Sequence, residues 1–379
     1  MKTEPDPRRR KTLQAAAAAW AGTAWPALAA VQTPRAWERW QAGRWCGFTT
    51  DNLPRMNRIT LRALHGTGAR LARVGMPFRP CEGQASCAQA CSCTQDLSLA
   101  GALLDEAQSL GMGLVMLGLF DGPGREAALW SESRQQSAFV QAWADFGRQL
   151  GRHPALAGMD LLNEPQPPLP QGRLAPAQQL WGALALKAIG ALRQAGASAP
   201  VVFEPVAGGS TLGFKNMPAL PVGGVVYSLH FYTPHDITHQ QVSPTWPRRI
   251  PYPAGSEHGL GAWDPELGVG SIDKARLEAE LRPVRDFQQR HACPVYVGEF
   301  GCVRWAPDGS ALRWVQDCLL LFQQAGWSWT FHSFRTWPGW DAEIDSESVD
   351  ARARTDQAPV MQALRTAMAP AVSAARKRP

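Results

Sequence analysis

Two glutamates of this 379-residue chain stand at the ends of apolar runs that have the composition of core strands. Glu164 follows the run MDLL and is flanked by Asn163 and Pro165, and Glu299 stands near the end of PVYVGEFG. Two carboxylates that share one cleft can donate and accept a proton, or attack an electrophilic carbon. The two segments therefore mark a candidate site of acid/base and nucleophilic chemistry, provided that the fold brings them together.

The elements that must position these glutamates alternate along most of the chain. Short apolar runs ending in Gly, Pro, Asn or Asp are separated by amphipathic stretches such as LSLAGALLDEAQSLG and ALRWVQDCLLLFQQAG, which predict helices. Such alternation is typical of βα units and a parallel sheet. The predicted strands are RWCGFTT (44–50), RLARVGM (70–76), GLVMLGLF (113–120), LAGMDLLN (156–163), PVVFEPV (200–206), VVYSLHFY (225–232), PVYVGEFG (294–301) and WSWTFHSF (327–334).

Eight such strands fit a closed (β/α)8 TIM barrel better than an open doubly wound sheet, because no nucleotide-binding fingerprint follows the first strand. We therefore predict an α/β protein with one (β/α)8 domain over residues 36–370. Long loops are expected after strand 2 (residues 77–97) and strand 6 (residues 233–272), and loops of this length commonly form the walls or lids of a site.

In a barrel, polar residues at the strand ends meet at one centre even when they are far apart in sequence. Glu164 and Glu299 would then share a cleft, which is the arrangement that hydrolysis of a glycosidic bond requires. The alternative is that each glutamate is a buried charge paired with a neighbouring arginine. The polar strand-end residues are Arg73, Asp121, Asn163, Glu164, Glu204, His230, Tyr232, Glu299, His332 and Arg335.

Four motifs in order along the chain resemble those of glycoside hydrolase family 5, the cellulase family, between roughly residue 40 and residue 340. They are Arg73 in RLARVGMP, Asn163-Glu164-Pro165, His230-Phe231-Tyr232 and Gly298-Glu299-Phe300-Gly301. Each motif alone is weak evidence, whereas four at the expected strand ends are specific.

The resemblance implies a retaining glycosidase, with Glu299 as the nucleophile and Glu164 acting first as acid and then as base. We expect no cofactor and no metal. The other matching residues would bind the sugar or keep Glu299 oriented and ionised, and they are Arg73, Asn163, His230 and Tyr232.

Two strand ends depart from the family pattern. The third strand often ends with a histidine, where this chain has GLFDGPG with Phe120 and Asp121. The eighth often supplies a tryptophan under the sugar, where this chain has His332 in WTFHSF. Both positions bear on specificity rather than on the reaction. We expect substrate binding by His332 and by Trp337, with Trp340 as an alternative stacking platform.

The net charge of +6 is concentrated at the two ends of the chain, so the body gives no support for nucleic-acid binding. Residues 1–29 contain Arg9-Arg10-Lys11 and then the weakly apolar run AAAAAWAGTAWPALA, and together these resemble a twin-arginine export signal. A disordered basic arm that leads into an alanine-rich helix is the alternative. Residues 371–379 form a predicted basic, disordered tail. We expect a periplasmic or secreted protein without a membrane span.

Export would place the 8 cysteines in an oxidising compartment, where an even number favours disulfide bonds. A metal site is the alternative, but the spacings within the loop cluster match no common zinc pattern. The histidines of HFYTPHDITHQ do not form a helical HExxH motif either. Four cysteines are clustered (Cys81, Cys87, Cys91 and Cys93) and four are dispersed (Cys46, Cys293, Cys302 and Cys318).

Together these features predict a monomeric hydrolase of a polysaccharide or oligosaccharide, an endo-β-1,4-glucanase in the first place. A non-catalytic carbohydrate-binding barrel, and a mannan- or exopolysaccharide-specific hydrolase of the same fold, are the alternatives. A serine esterase is disfavoured because the sequence has no G-x-S-x-G motif.

Overall fold

A computed structural model of the protein describes residues 34–43, 45–78, 94–120, 125–261 and 263–369. Eight parallel strands close into one barrel surrounded by helices, which confirms the predicted (β/α)8 fold. The barrel strands are β1 (Cys46–Thr49), β2 (Leu71–Phe78), β3 (Gly113–Phe120), β4 (Leu156–Asp160), β5 (Val201–Phe203), β6 (Val225–Phe231), β9 (Val295–Phe300) and β10 (Ser328–His332), and the short strands β7 (Leu260–Gly261) and β8 (Val269–Gly270) form a separate antiparallel ribbon.

The barrel closes because β1 pairs with both β2 and β10, so the order around it is β1-β10-β9-β6-β5-β4-β3-β2. The helices are α1 (Pro34–Gln41), α2 (Arg58–Gly66), α3 (Thr94–Ser109), α4 (Arg125–Ser131), α5 (Ser133–Leu150), α6 (Leu174–Gln194), α7 (His235–Thr238), α8 (Lys274–Glu280), α9 (Arg282–His291), α10 (Ser310–Ala325) and α11 (Pro359–Met368).

Most predicted helices are present with shifted ends, but the amphipathic stretch before β9 is divided. Helices α8 and α9 meet at Leu281, and Pro283 lies in the first turn of α9. Proline is tolerated in a first turn, where its missing N–H would have no partner, and it disrupts a helix interior. The stretch therefore forms two short helices.

Large aromatic side chains close the amino-terminal end of the barrel. Trp40 on α1 is almost fully buried and donates Nε1–H to the carbonyl of Ala157 at 2.8 Å. Its ring contacts Tyr296 edge-on at 5.1 Å and lies 6.2 Å from Trp45. The opposite end, where the strands have their carboxyl termini, is left to form a site.

The long loop predicted after strand 6 is ordered by contacts with the barrel. It contains α7 and the β7–β8 ribbon. The Tyr252 hydroxyl donates to Asp317 on α10 at 2.8 Å, and Lys215 Nζ lies 2.8 Å from Asp264. The backbone N–H of Trp263 donates to Glu280 on α8 at 3.1 Å. This loop is therefore a fixed wall beside the strand ends.

Several predictions fall on residues outside the described ranges: the export signal (1–29), the basic tail (371–379), Asp121 and the cysteine cluster at 81–93. Within the described ranges, no helix is long and apolar enough to cross a membrane. The four cysteines described there carry free thiols, so they give the predicted disulfide bonds no support; they are Cys46, Cys293, Cys302 and Cys318.

Candidate active site

The open end of the barrel brings together polar side chains from five strands. Seven of the eight predicted site residues meet there, whereas Trp337 lies farther out. Each of the seven lies on a barrel strand or within four residues of its carboxyl end: Arg73 on β2, Asn163 and Glu164 after β4, His230 on β6, Tyr232 after β6, Glu299 on β9 and His332 on β10.

Glu299 is held by hydrogen-bond donors on both carboxylate oxygens. Arg73 Nη1 donates to Oε1 at 2.6 Å, and the Tyr232 hydroxyl donates to Oε2 at 2.8 Å. Burial by itself raises the pKa of Glu299, but interactions with His230, His332, Arg73 and the Tyr232 hydroxyl hold that pKa well below its usual range. Glu299 is therefore ionised at neutral pH, as a carboxylate nucleophile must be.

Glu164 has different surroundings. Its side chain is 38% exposed, against 12% for Glu299, so it faces the cleft rather than the core. Its Oε1 lies 2.8 Å from Nδ1 of His230. The backbone of Glu164 has φ of 47°, in the left-handed region that non-glycine residues rarely adopt. The two glutamates therefore differ in exposure and in partners, which suits two different chemical roles.

The two carboxylates are close enough to act on one bond. One oxygen of Glu164, one oxygen of Glu299 and one ring nitrogen of His230 all lie within 4.8 Å of one another. In glycosidases, carboxyl groups about 5–5.5 Å apart accompany retention, and those about 6.5–9.5 Å apart leave room for the water of inversion. A separation of at most 4.8 Å between an oxygen of each carboxylate is compatible with the shorter class.

Arg73 organises the buried side of the site. It is fully buried, and its guanidinium donates to four acceptors on three other strands or their ends. The distances are 2.6 Å to Glu299 Oε1, 2.6 Å to Glu204 Oε1, 2.9 Å to Asp160 Oδ2 and 3.1 Å to Asn163 Oδ1. Burial lowers the pKa of Arg73, but the carboxylates raise it far more, so the guanidinium stays charged.

Asp160 and Glu204 are members of this network that the sequence did not identify as site residues. Glu204 was noted only as a polar strand end, and Asp160 lies inside the apolar run GMDLL. Both side chains are fully buried. A charged residue inside an apolar strand is the signal that could have identified Asp160, since such a charge needs a buried partner.

His230 connects the two catalytic candidates to Glu204. Its Nδ1 lies 2.8 Å from Glu164 Oε1 and 3.8 Å from Glu299 Oε2, and its Nε2 lies 3.4 Å from Glu204 Oε1. Burial lowers the pKa of His230, but the charges of Glu204 and Glu299 raise it well above its usual range. These charges favour the imidazolium form of the ring, whose buried Nε2 makes an ionic contact with Glu204 but no hydrogen bond among the described residues.

A cavity of about 340 Å³ opens beside Glu164. Its wall includes Trp263 from the long loop after β6, whose side chain is 39% exposed and packs edge-on against His235 at 5.0 Å. The buried hydroxyl of Ser210 also lines it and has no hydrogen-bond partner among the described residues. An exposed indole and free polar groups suit the binding of a sugar.

The other aromatic wall lies on the side of Glu299. His332 Nδ1 is 3.4 Å from Glu299 Oε2, and the Trp340 ring lies 5.5 Å from His332 and 6.1 Å from Tyr232. Trp337 packs against Trp340 at 4.7 Å. Trp340, the alternative platform, is therefore nearer to the nucleophile candidate than Trp337 is.

Glu164, His230 and Glu299 are close enough to bind a metal ion, but their chemistry argues against this. Both Glu299 oxygens already accept hydrogen bonds, and a metal needs the neutral imidazole that the raised pKa of His230 disfavours. The rings of His235 and His239 lie 4.3 Å apart, yet among the described residues they belong to no group of three possible ligands.

Comparisons with known proteins agree with this geometry. Residues 103–336 match the family model of the cellulases, glycosyl hydrolase family 5. The chain is 25% identical to Endoglucanase C of Acetivibrio thermocellus over 283 residues, 68% of this chain and 80% of that protein. Two structures of Thermotoga maritima Cel5A, one with cellobiose and one with mannotriose, align with a TM-score of 0.66 at 15% identity, over 86% of this chain and 99% of theirs.

Proposed function

Because the chain belongs to the cellulase family, glycosyl hydrolase family 5, we propose that this glycoside hydrolase is a retaining endo-β-1,4-glucanase. Glu299 is the nucleophile and Glu164 the acid/base. The observation that carries the mechanism is the separation of at most 4.8 Å between an oxygen of each carboxylate. The different exposure and hydrogen-bond partners of the two glutamates support this assignment of roles.

In the first step, a carboxylate oxygen of Glu299 attacks the anomeric carbon while the bond from that carbon to the leaving oxygen breaks. Glu164 donates its proton to the leaving oxygen, so the leaving sugar departs as a neutral hydroxyl compound. His230 Nδ1 contacts Oε1 of Glu164, which leaves Oε2 to carry the proton. The product is a glycosyl ester of Glu299.

In the second step, a water molecule takes the place of the departed sugar. Glu164, now a carboxylate, accepts a proton from this water while its oxygen attacks the anomeric carbon and the bond to Glu299 breaks. Arg73 and Tyr232 stabilise the carboxylate that leaves, because they donate to its two oxygens. Two inversions give a product with the starting configuration.

The substrate assignment rests on the relatives and on the shape of the cleft. The similar protein of Acetivibrio thermocellus is an endoglucanase. The cavity beside Glu164 gives room for the leaving part of a chain, as cleavage inside a polysaccharide requires. Because Thermotoga maritima Cel5A has been solved with both cellobiose and mannotriose, β-1,4-glucan and β-1,4-mannan both belong in the substrate panel.

The test uses 2,4-dinitrophenyl β-cellobioside, whose leaving group needs no protonation. Glu299→Ala should abolish hydrolysis, and azide should restore turnover with an α-glycosyl azide as product. Glu164→Ala should form the ester, and azide should then release a β-glycosyl azide. Glu106→Ala is the control, because Glu106 lies on the outer helix α3 and should not affect turnover.

If the wild type is active and Glu299→Ala hydrolyses the substrate at the same rate, Glu299 is not the nucleophile. Binding of cello-oligosaccharides without any hydrolysis by the wild type would favour the non-catalytic carbohydrate-binding barrel. Hydrolysis of mannan in preference to carboxymethylcellulose would retain the mechanism and change the substrate.

A further inference from the structure

Glu204 is a buried carboxylate to which the two reaction steps assign no role. It directly follows β5 and contacts groups from three other places in the barrel. Its Oε1 accepts a hydrogen bond from Arg73 Nη2 at 2.6 Å and lies 3.4 Å from His230 Nε2. Its Oε2 accepts the backbone N–H of Glu164 at 2.9 Å. Glu204 thus reaches both the backbone of the acid/base and the histidine beside its carboxylate.

The hydrogen bond from the Glu164 backbone N–H to Glu204 stabilises an unusual backbone conformation of Glu164. Glu164 has φ of 47°, and a left-handed conformation of a non-glycine residue persists only where the surroundings hold it. The acceptor for its N–H is the side chain of Glu204 rather than a strand partner. Glu204 therefore helps to fix the turn that presents the Glu164 carboxylate to the cleft.

The contact of Glu204 with His230 affects the side chain of Glu164, because His230 also contacts the Glu164 carboxylate. His230 lies between the two glutamates, with Nε2 towards Glu204 and Nδ1 towards Glu164. The Glu204 charge favours the imidazolium form, which donates to Glu164 Oε1. Other titratable groups that act on this ring from neighbouring strands are Asp160, Glu299 and His332.

The surroundings of Glu204 leave it little freedom. Its carbonyl accepts the Nε1–H of Trp181 from α6 at 2.8 Å. Gly209 has φ of 67°, and a Cβ at that position would lie 2.8 Å from Glu204 Oε2, so the loop after β5 covers the carboxylate closely. The same glycine accepts the His230 backbone N–H at 2.9 Å. Glu204 is held in a preorganised position.

We propose that Glu204 is the positioning residue of the acid/base: it fixes the backbone of Glu164 through its N–H and orients the His230 ring against the Glu164 carboxylate. This inference rests on the proposed acid/base role of Glu164. The Glu204 side chain is fully buried, so it acts through Glu164 and His230 rather than on a substrate.

The substitution Glu204→Gln tests this role specifically, because it preserves the shape of the side chain and removes one hydrogen-bond acceptor. Both oxygens of Glu204 accept from fixed donors, Arg73 Nη2 and the N–H of Glu164. A glutamine has a single oxygen, so its amide nitrogen must face one of these donors. The variant therefore loses the bond to Arg73 or the bond to Glu164, and it also loses the negative charge beside His230.

The assay compares two substrates in the same preparation. With cellotetraose, the leaving sugar needs a proton from Glu164, so kcat/KM of Glu204→Gln should fall by about 10- to 100-fold. This is the rate change that corresponds to the free energy of one lost hydrogen bond to a charged group. With 2,4-dinitrophenyl β-cellobioside, no proton is needed and kcat/KM should change less than about threefold. An unfolded fraction lowers both values equally and leaves their ratio unchanged.

Two further variants separate the possible outcomes. Glu106→Gln makes the same change in a glutamate that also pairs with an arginine, Arg62, and it should leave the ratio unchanged. Glu164→Gln should show the same dependence on the leaving group as Glu204→Gln, but more strongly. If Glu164→Gln lacks this dependence, the proposed function fails. If Glu164→Gln shows it and Glu204→Gln loses equal activity on both substrates, or none, the role of Glu204 is refuted.

Discussion

The buried guanidinium of Arg73 should contribute far more to the free energy of unfolding than an exposed guanidinium with the same contact distances. Arg73→Met leaves an apolar side chain of similar reach beside the carboxylates of Glu204 and Glu299 and the carboxyl group of Asp160, and the Glu204 and Asp160 side chains are fully buried. Removal of one partner from a buried ion pair costs roughly 3–5 kcal/mol, because the remaining charge has neither water nor a counter-ion. We expect at least that loss in the free energy of unfolding near neutral pH.

The loss should depend on pH in a definite direction. The pKa of Glu204 and that of Glu299 are lowered in the folded protein, against burial, by His230 and Arg73 among others. The stability from such groups is present above their unfolded pKa, about 4.3, and is lost as pH falls through the folded values. Burial raises the pKa of Asp160 to about 8, so this carboxyl costs stability as pH rises. Without Arg73 the carboxyl groups of Asp160, Glu204 and Glu299 should ionise less readily. The difference in the free energy of unfolding between wild type and Arg73→Met should therefore become smaller towards about pH 4.

Urea denaturation followed by tryptophan fluorescence measures this effect at about pH 7.5 and about pH 4. Arg62→Met is the matched control, because Arg62 Nε also lies 2.6 Å from a carboxylate oxygen of Glu106 but its side chain is 65% exposed. Solvent and salt screen such a pair, so the control should show little change at either pH. A loss of stability in Arg73→Met no larger than in the control, or one equally large at both pH values, would contradict the proposed contribution of Arg73.

Three further predictions concern individual side chains. Tyr232→Phe removes the 2.8 Å hydrogen bond to Glu299, so kcat should fall by about 10- to 100-fold with KM little changed in steady-state assays. Trp263→Ala removes an exposed indole, so KM for cellohexaose should rise by about 2- to 10-fold, with that for 2,4-dinitrophenyl β-cellobioside unchanged. Cys302 and Cys318 are buried free thiols, so Ellman's reagent should label both only after unfolding in urea.

The barrel and the meeting of its strand-end residues could be predicted because both depend on local periodicity and on one topological rule. The run LAGMDLLN predicts a strand that leaves the core at Asn163, and in a closed barrel such an end must face the same centre as Glu299. The structure adds the distance between the carboxylates and the ion pairs by which Arg73 on β2 contacts Asp160, Glu204 and Glu299.

The supporting residues were harder to predict, because their roles depend on neighbours that a single sequence does not display. Glu204 resembles any polar strand end until β5 is placed between β4 and β6, where its two oxygens reach Glu164 and come close to His230. Trp263 lies in a loop without periodicity, and its position beside the cleft depends on tertiary contacts with Glu280 and His235.

The departure of His332 from the family pattern changes what holds the sugar on the side of the nucleophile. Burial lowers the pKa of His332, so the ring is neutral near pH 7 and can exchange hydrogen bonds with hydroxyl groups instead of adding a charge. Its buried Nδ1 has no hydrogen-bond partner among the described residues, although it lies 3.4 Å from Glu299 Oε2. Trp340 provides the adjacent aromatic face, 5.5 Å from His332. A tryptophan at this strand end would bind the sugar mainly by stacking. With His332 in its place, we expect the sugar at Glu299 to be bound more by hydrogen bonds and less by stacking.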